Sequence, residues 1–354
     1  MAFQRLPESV QTLYAELLDQ VIQAEAEAAA LSAPQGSFVS KTIKGKTYWY
    51  LQRMEEGRKK QQYLGRESPS LLAWIEGARE ARERLAADAG QRARLCSMLI
   101  AGGAVAESAT AVRVLSLIAQ AGVFRMGGVL VGTQAFSAYG NMLGVRFEQG
   151  ALRTQDIDIA QDRSIGIALS VETAPLNVER SLTGSDLGFS PVPAFDSRKP
   201  STSFKIRGRD LRVDFLTPLL GPDSEEPVFL PALGVAAHPL RFLDYLIESP
   251  AQAVIVGLDG ILVNVPDPAR FAFHKLLISQ RRPVSEQTKA AKDLRQAGAL
   301  IEVLLADRPG DLPIAWEALR HSPAAVKAIR GAIGRLPEEL RGQLAGHLEG
   351  AAPA

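Results

Sequence analysis

The sequence predicts an α+β fold: a mixed-sheet core with flanking helices, preceded by a helix plus a small β-meander and followed by a helical C-terminal domain. Three observations carry that reading. Short β-branched runs alternate with helical stretches from residue 127 to residue 266, a basic aromatic segment with turn signals occupies residues 37–65, and from Pro268 onward the pattern is helical throughout. The chain divides accordingly into an accessory segment (1–90), a core (91–266) and a helical domain (267–354).

A chain of 354 residues, 46% hydrophobic and 22% charged, has room for two or three domains and the balance of a protein that folds on a real core. The formal charge is only +1, so affinity for nucleic acid or phosphate has to come from local patches. The single cysteine, Cys96, excludes an internal disulfide and points to a reducing compartment. The start, "MAFQRLPESVQ", lacks the apolar core of a signal peptide. The most apolar region, 95–131, is broken by Glu107, Arg113 and Arg125, leaving no uncharged run of about 18 residues. No membrane segment and a cytoplasmic location are expected. His238, His274, His321 and His347 are scattered without cysteine partners, which suggests neither a zinc site nor a Ser-His-Asp arrangement.

In chain order, residues 8–32 read as an Ala/Glu-rich amphipathic helix ended by "SAPQGS". Residues 37–65 read as a three-stranded meander turning at Lys44-Gly45-Lys46 and Glu56-Gly57-Arg58, with seven Lys/Arg against two Glu. Its cations interleave with Tyr48, Trp49, Tyr50 and Tyr63. Two readings stay open: a nucleic-acid surface, or a small sheet whose aromatics pack on a helix while lysines guard its edges. Residues 68–100 form a capped helix with a solvated Glu/Arg face, and 105–120 a second helix stopped at Gly122. "GGVLVGT" (127–133) is a buried strand, 134–144 a helix and "QDIDIA" a strand. "SFKIRGRDLRVDFLTP" (203–218) is a hairpin turning at Gly208, and 253–266 holds two further strands. There is no internal repeat.

The chemistry concentrates in "TQDIDIA". Residues i and i+2 of a strand share a face, so Asp156 and Asp158 project together while Ile157 and Ile159 fill the other side. Paired carboxylates need a counter-charge if enclosed, and a hard divalent cation that also binds substrate phosphates is the usual one. Alone, this D-h-D favours a solvated strand over a metal site. "LRVDFL" adds a third carboxylate, Asp214, inside an apolar strand where an unpaired charge is costly. "VLVGT" ends a strand at Gly132-Thr133 and opens a helix. The glycine lets backbone approach a phosphate and the first free amides attract an anion, while Thr133 is either a further contact or only the N-cap.

"VGT", "DIDI" and "VDF" resemble the hG[GS], [DE]h[DE]h and h[DE]h signature of the nucleotidyltransferase fold of the DNA polymerase β superfamily. Thr133 departs from the usual Gly or Ser but keeps a hydroxyl. The 22 residues between Thr133 and Asp156, and Arg153-Thr154 ahead of the aspartates, make the chain similar to the AbiEii-like branch. It is more similar still to a poorly characterised family of bacterial nucleotidyltransferase-fold proteins. The resemblance spans roughly residues 105–300 and leaves 1–90 unexplained.

The resemblance implies NMP transfer from an NTP to a hydroxyl, with Mg2+ (or Mn2+) on Asp156, Asp158 and Asp214. It implies that Gly132, Thr133 and Arg153 meet the phosphates, that Lys275 reaches them from a C-terminal helix, and that Lys292 with Asp293 helps hold the nucleotide. For Lys292 and Asp293 a solvated helix face stays open as the alternative, and His274 reads as a packed histidine. RNA such as a tRNA 3′ end, met through residues 37–65, is the expected acceptor. Protein side chains, small molecules and a non-catalytic binding module are the alternatives. The toxin-type members of the branch imply an antitoxin-like protein partner.

Overall fold

The computed structural model describes residues 3–30, 36–55, 58–147, 156–164, 176–193, 196 and 198–349. Strand β1 (Phe3–Arg5) leads into helix α1 (Glu8–Ala30), and the meander follows as β2 (Ser37–Ile43), β3 (Lys46–Glu55) and β4 (Arg58–Arg66). Lys44 and Gly45 both take positive φ, 50° and 74°, the geometry a two-residue hairpin turn needs. The second expected turn, at Glu56-Gly57, lies outside the described residues. Helix α2 (Pro69–Ala101) starts where Ser68 accepts from the Leu71 amide, and α3 (Ala109–Gln120) where Ser108 accepts from that of Ala111. Both starts satisfy an orphan N–H with a short polar side chain.

The core follows as β5 (Val129–Val131), α4 (Gly132–Met142), β6 (Val145–Phe147), β7 (Asp156–Ala160), α5 (Val178–Thr183), β8 (Phe189–Pro191), β9 (Ser203–Ile206) and β10 (Arg212–Pro218). It continues through β11 (Val228–Leu230), β12 (Val235–Leu240), α6 (Leu243–Ile247), β13 (Ala251–Ile255) and β14 (Ile261–Val265). The C-terminal part is helical: α7 (Pro268–Ser279), α8 (Gln287–Asp307), α9 (Asp311–Glu317), α10 (Pro323–Ile333) and α11 (Glu338–Glu349).

The central mixed sheet has the order β11-β12-β10-β7-β5. Strand β10 runs parallel to β7 and β12. The edge of β10 away from β7 is shared along its length: β9 pairs antiparallel with Arg212–Asp214, and β12 takes over from Leu216 to Pro218. Val213 and Phe215, with Ile157 and Ile159, are fully buried, so one face of the two middle strands belongs to the core. The alternation then turns Asp156, Asp158, Arg212 and Asp214 to the opposite face.

The α+β class stands as read from the sequence, with helices and sheets of mixed orientation and a helical C-terminal region. Strands β13 and β14 pair with each other as a separate antiparallel hairpin rather than extending the central sheet. Strands β1, β6, β8, β11 and β12 were not anticipated. In β12 the reason is visible: Ala236, Ala237 and Pro239 argue against a strand, yet Pro239 sits near the strand's end, where its missing N–H is tolerated. One buried apolar cluster joins Phe136 of α4, Phe215 of β10, Phe271 of α7, Leu300 of α8 and Trp316 of α9. Among the described residues no helix is long and apolar enough to cross a membrane.

Candidate active site

Three consecutive features build one wall. Strand β5 is antiparallel to β7, with Val131 opposite Asp158, so the chain leaves β5 beside that aspartate. Gly132 turns it there with φ +68°, and a Cβ on this residue would collide with Asp158 Oδ2. Only glycine makes both the turn and the approach. Helix α4 begins at once, its N-cap is Val131, and no side chain caps it. Its first amides are therefore left to an anion. Thr133 is not the N-cap; it lies inside the first turn, almost buried, and its hydroxyl accepts from Lys292 Nζ at 3.1 Å.

The carboxylates come together through strand register. Asp214 is the Cα partner of Asp158 and Arg212 that of Asp156. Burial, followed by the Asp214 charge, pushes the Asp158 carboxyl up from 3.8 to about 6; Asp156 adds to the rise, while Lys275 and Arg212 oppose it. Arg212 is the cation among them, with Nη2 2.7 Å from Asp214 Oδ2 and Nε 3.9 Å from Asp156 Oδ1. Ser203, paired across from Asp214 on β9, donates its hydroxyl to Asp214 Oδ1.

The facing wall comes from the C-terminal helices. Lys275, 8% exposed on α7, reaches Asp293 Oδ1 of α8 at 2.8 Å. Arg282 donates through Nε to Asp293 Oδ2 at 3.0 Å and through Nη1 to Glu286 Oε2 at 3.0 Å. Asp293, 3% exposed, thus holds two cations. Burial, and then the neighbouring Lys275 charge, lowers the Lys292 pKa. Burial likewise lowers His274 to about 3, with Lys275 adding to the effect, so this histidine is neutral at physiological pH.

Between the walls lies a cleft of about 400 Å³ lined by Gly132, Asp158, Ser203, Arg212, Asp214, Lys275 and Arg282. Leu240, Leu243, Leu246, Phe271 and Ile278 give it an apolar side. Of the residues expected from sequence, Gly132, Asp158, Asp214 and Lys275 line this cleft. Thr133, Asp156, Lys292 and Asp293 are not part of that lining; Asp156 lies opposite Arg212 and Asp293 holds Lys275 and Arg282, while Thr133 and Lys292 bond to each other. Arg153 lies outside the described residues. Sequence reasoning missed Arg212, Ser203 and Arg282. Arg212 had a signal, since the alternation that pairs Asp156 with Asp158 pairs Arg212 with Asp214; Ser203 and Arg282 had none, because each depends on a partner distant in sequence.

The carboxylates suit a hard cation in donor type and charge, and burial, then the Asp214 charge, holds the Asp158 carboxyl above its ordinary value. Among the described residues no three acidic, histidine or cysteine side chains converge on one point. In this structure Arg212 and Ser203 both engage Asp214.

A family model described as "Nucleotidyltransferase" matches residues 109–320, a stretch running from the start of α3 past α9 and containing every cleft residue named above. A second model, described as a domain of unknown function, matches residues 14–73, which hold most of α1, the meander and the start of α2. No curated protein and no solved structure matches the chain.

Proposed function

The chain belongs to the nucleotidyltransferase family, and from that premise we propose that it moves a nucleoside monophosphate from a nucleoside triphosphate to a hydroxyl acceptor, releasing pyrophosphate. The observation that carries this reading is the opposition of the two walls. Asp158 and Asp214 stand side by side beside the Gly132 turn, and Lys275 and Arg282 line the same cleft across from them. That arrangement suits a triphosphate.

In this reading the α4 amides, Gly132 and Thr133 hold the β- and γ-phosphates. Lys275, Arg282 and Lys292 balance the charge that develops as pyrophosphate leaves. Asp293 touches none of the phosphates and is a positioning residue: its buried carboxylate fixes where Lys275 and Arg282 point. Asp214 takes the proton of the acceptor hydroxyl. Asp156, Asp158 and Asp214 would hold Mg2+ or Mn2+, which would supply electrostatic stabilisation of the transferring phosphoryl group. The apolar side of the cleft, Leu240 to Ile278, accommodates the nucleoside. The long spacing before Asp156, and the Lys275, Lys292 and Asp293 set, support a place near the AbiEii-like branch.

A nucleic acid such as a tRNA 3′ end is the acceptor we favour, on the strength of the basic meander. A protein side chain or a small molecule is the alternative, and a fold used only to sense nucleotide is disfavoured because clustered charges without a function are costly to keep. Incubation with each labelled NTP, Mg2+ and total RNA or lysate, followed by separation of RNA from protein, distinguishes these outcomes. Asp156→Asn is expected to bind NTP weakly and transfer nothing; labelling at the wild-type level by that variant overturns the assignment.

A further inference from the structure

The meander has two faces, and each suits a different role. Cross-strand register puts Phe38 opposite Leu51 and Ser40 opposite Trp49, the side that meets α2. Leu51 is 1% exposed, Phe38 lies edge-on to Trp74 with ring centroids 5.5 Å apart, and Arg82 stacks over Phe38 at 4.8 Å. Trp49 donates through Nε1 to Glu67 at 3.1 Å. This inner face is a packed sheet-on-helix contact.

The same register sends the intervening residues outward. Lys41 pairs with Tyr48, Ile43 with Lys46, Tyr50 with Tyr63, and Tyr48 with Arg66. Alternation along β4 adds Lys59 to this side. The outer face thereby gathers three tyrosines and four cations (Lys41, Lys46, Lys59 and Arg66), and among the described residues the register assigns no carboxylate to it. The chain as a whole carries only +1, so this is a local field of one sign.

The aromatic part has shape as well as charge. Ile43, Tyr48, Tyr50 and Tyr63 line a shallow groove of about 310 Å³. Tyr63 sits between the other two rings, 5.6 Å from Tyr50 and 6.3 Å from Tyr48, tilted against each at 60° and 46°. Tyr63 is 56% exposed and Ile43 49%, a cost that the packing of α2 on the inner face does not offset. Lys41 Nζ lies 5.0 Å over the Tyr50 ring and 2.5 Å from Gln61 Oε1, which holds the cation beside the groove.

We propose that this outer face binds single-stranded nucleic acid, with bases against Tyr48, Tyr50 and Tyr63 and phosphates on the surrounding cations. Unstacked bases offer the flat rings the tilted tyrosines accept, whereas a duplex keeps its base faces hidden. The surface lies within the segment matched by the domain of unknown function, outside the nucleotidyltransferase match, so its binding can be measured apart from the transfer chemistry whose acceptor it would present.

The test is fluorescence anisotropy of the full chain with a labelled single strand about 12 nucleotides long, as RNA and as DNA, and with the corresponding duplexes. The measurement is made in EDTA without NTP, so its outcome is independent of the transfer reading. The single strand is expected to bind at least about tenfold tighter than the duplex. Tyr50→Ala and Tyr63→Ala are each expected to weaken it by about tenfold, with circular dichroism and melting temperature unchanged. Lys46→Gln and Arg66→Gln are expected to lower the slope of log affinity against log salt by about 0.7 each. The RNA and DNA arms tell which strand is preferred. No binding by the wild type overturns the proposal; so does equal binding of duplex and single strand, or tyrosine variants that bind as the wild type does. An acidic peptide that competes as well as the oligonucleotide would replace it with a protein partner.

Discussion

Asp158 combines a close approach to the Gly132 backbone with a raised carboxyl pKa, and two residue-scale predictions follow from it. In metal-free protein its carboxyl sits at about 6 rather than 3.8 because of burial, then Asp214 and Asp156. A folded-state pKa raised above the unfolded one means that the folded protein holds a proton the unfolded chain releases. Stability contributed below pH 4 is therefore lost as pH rises towards 6. Asp158→Asn removes that penalty. In EDTA at pH 7.5 it is expected to be more stable than wild type by about 1–3 kcal/mol, with no difference near pH 4, and to transfer nothing. Melts of both proteins across pH check this; a constant difference at all pH values would refute it. Gly132→Ala meets the reverse fate, because φ of +68° and the Asp158 contact both exclude a Cβ. It is expected to lose about 1–3 kcal/mol of stability, read by urea titration, together with transfer.

At the scale of elements, the contact between α7 and α8 links fold to chemistry. Lys275 and Asp293 are both buried, and Arg282 completes the carboxylate's partners. Removing one member leaves the others as uncompensated charge, so Asp293→Ala is expected to cost about 3–5 kcal/mol in urea unfolding. Lys275→Met combined with Asp293→Leu is expected to restore most of that stability while transfer stays lost; a double variant as unstable as Asp293→Ala would contradict the argument. Much at this scale could be read in the sequence. The periodicity of α1, α2 and α3, the Gly208 hairpin and the D-h-D strand are local patterns, and β5 with the start of α4 is a local switch from period 2 to period 3.6. Strand β12 could not be read, because its small residues and Pro239 become a strand only once β10 offers an edge, and the three-residue β11 pairs in turn with β12.

For the whole molecule, the shared cluster has a thermodynamic consequence. Phe271 and Phe273 of α7 are fully buried, the first against Phe136 and Tyr139 of α4, the second against Trp316. Central sheet and C-terminal helices are thus expected to unfold together. With Trp49→Phe and Trp74→Phe in place, the remaining Trp316 reports the helices alone; its urea midpoint is expected to coincide with that of far-UV circular dichroism. The sequence alone determined which residue types sit on which strands: three aspartates, a glycine before a helix, a lysine on an apolar helix. It left the meander's two readings open; tertiary structure added which residues take which face, since alternation sends Trp49 and Leu51 to α2 and Tyr48 and Tyr50 outward. Tertiary structure alone also put Arg212 among the carboxylates and gave Asp293 to Lys275 and Arg282. The reason is physical. Face and period are set by neighbours along the chain, whereas the partner of a charge is set by register and by helices distant in sequence.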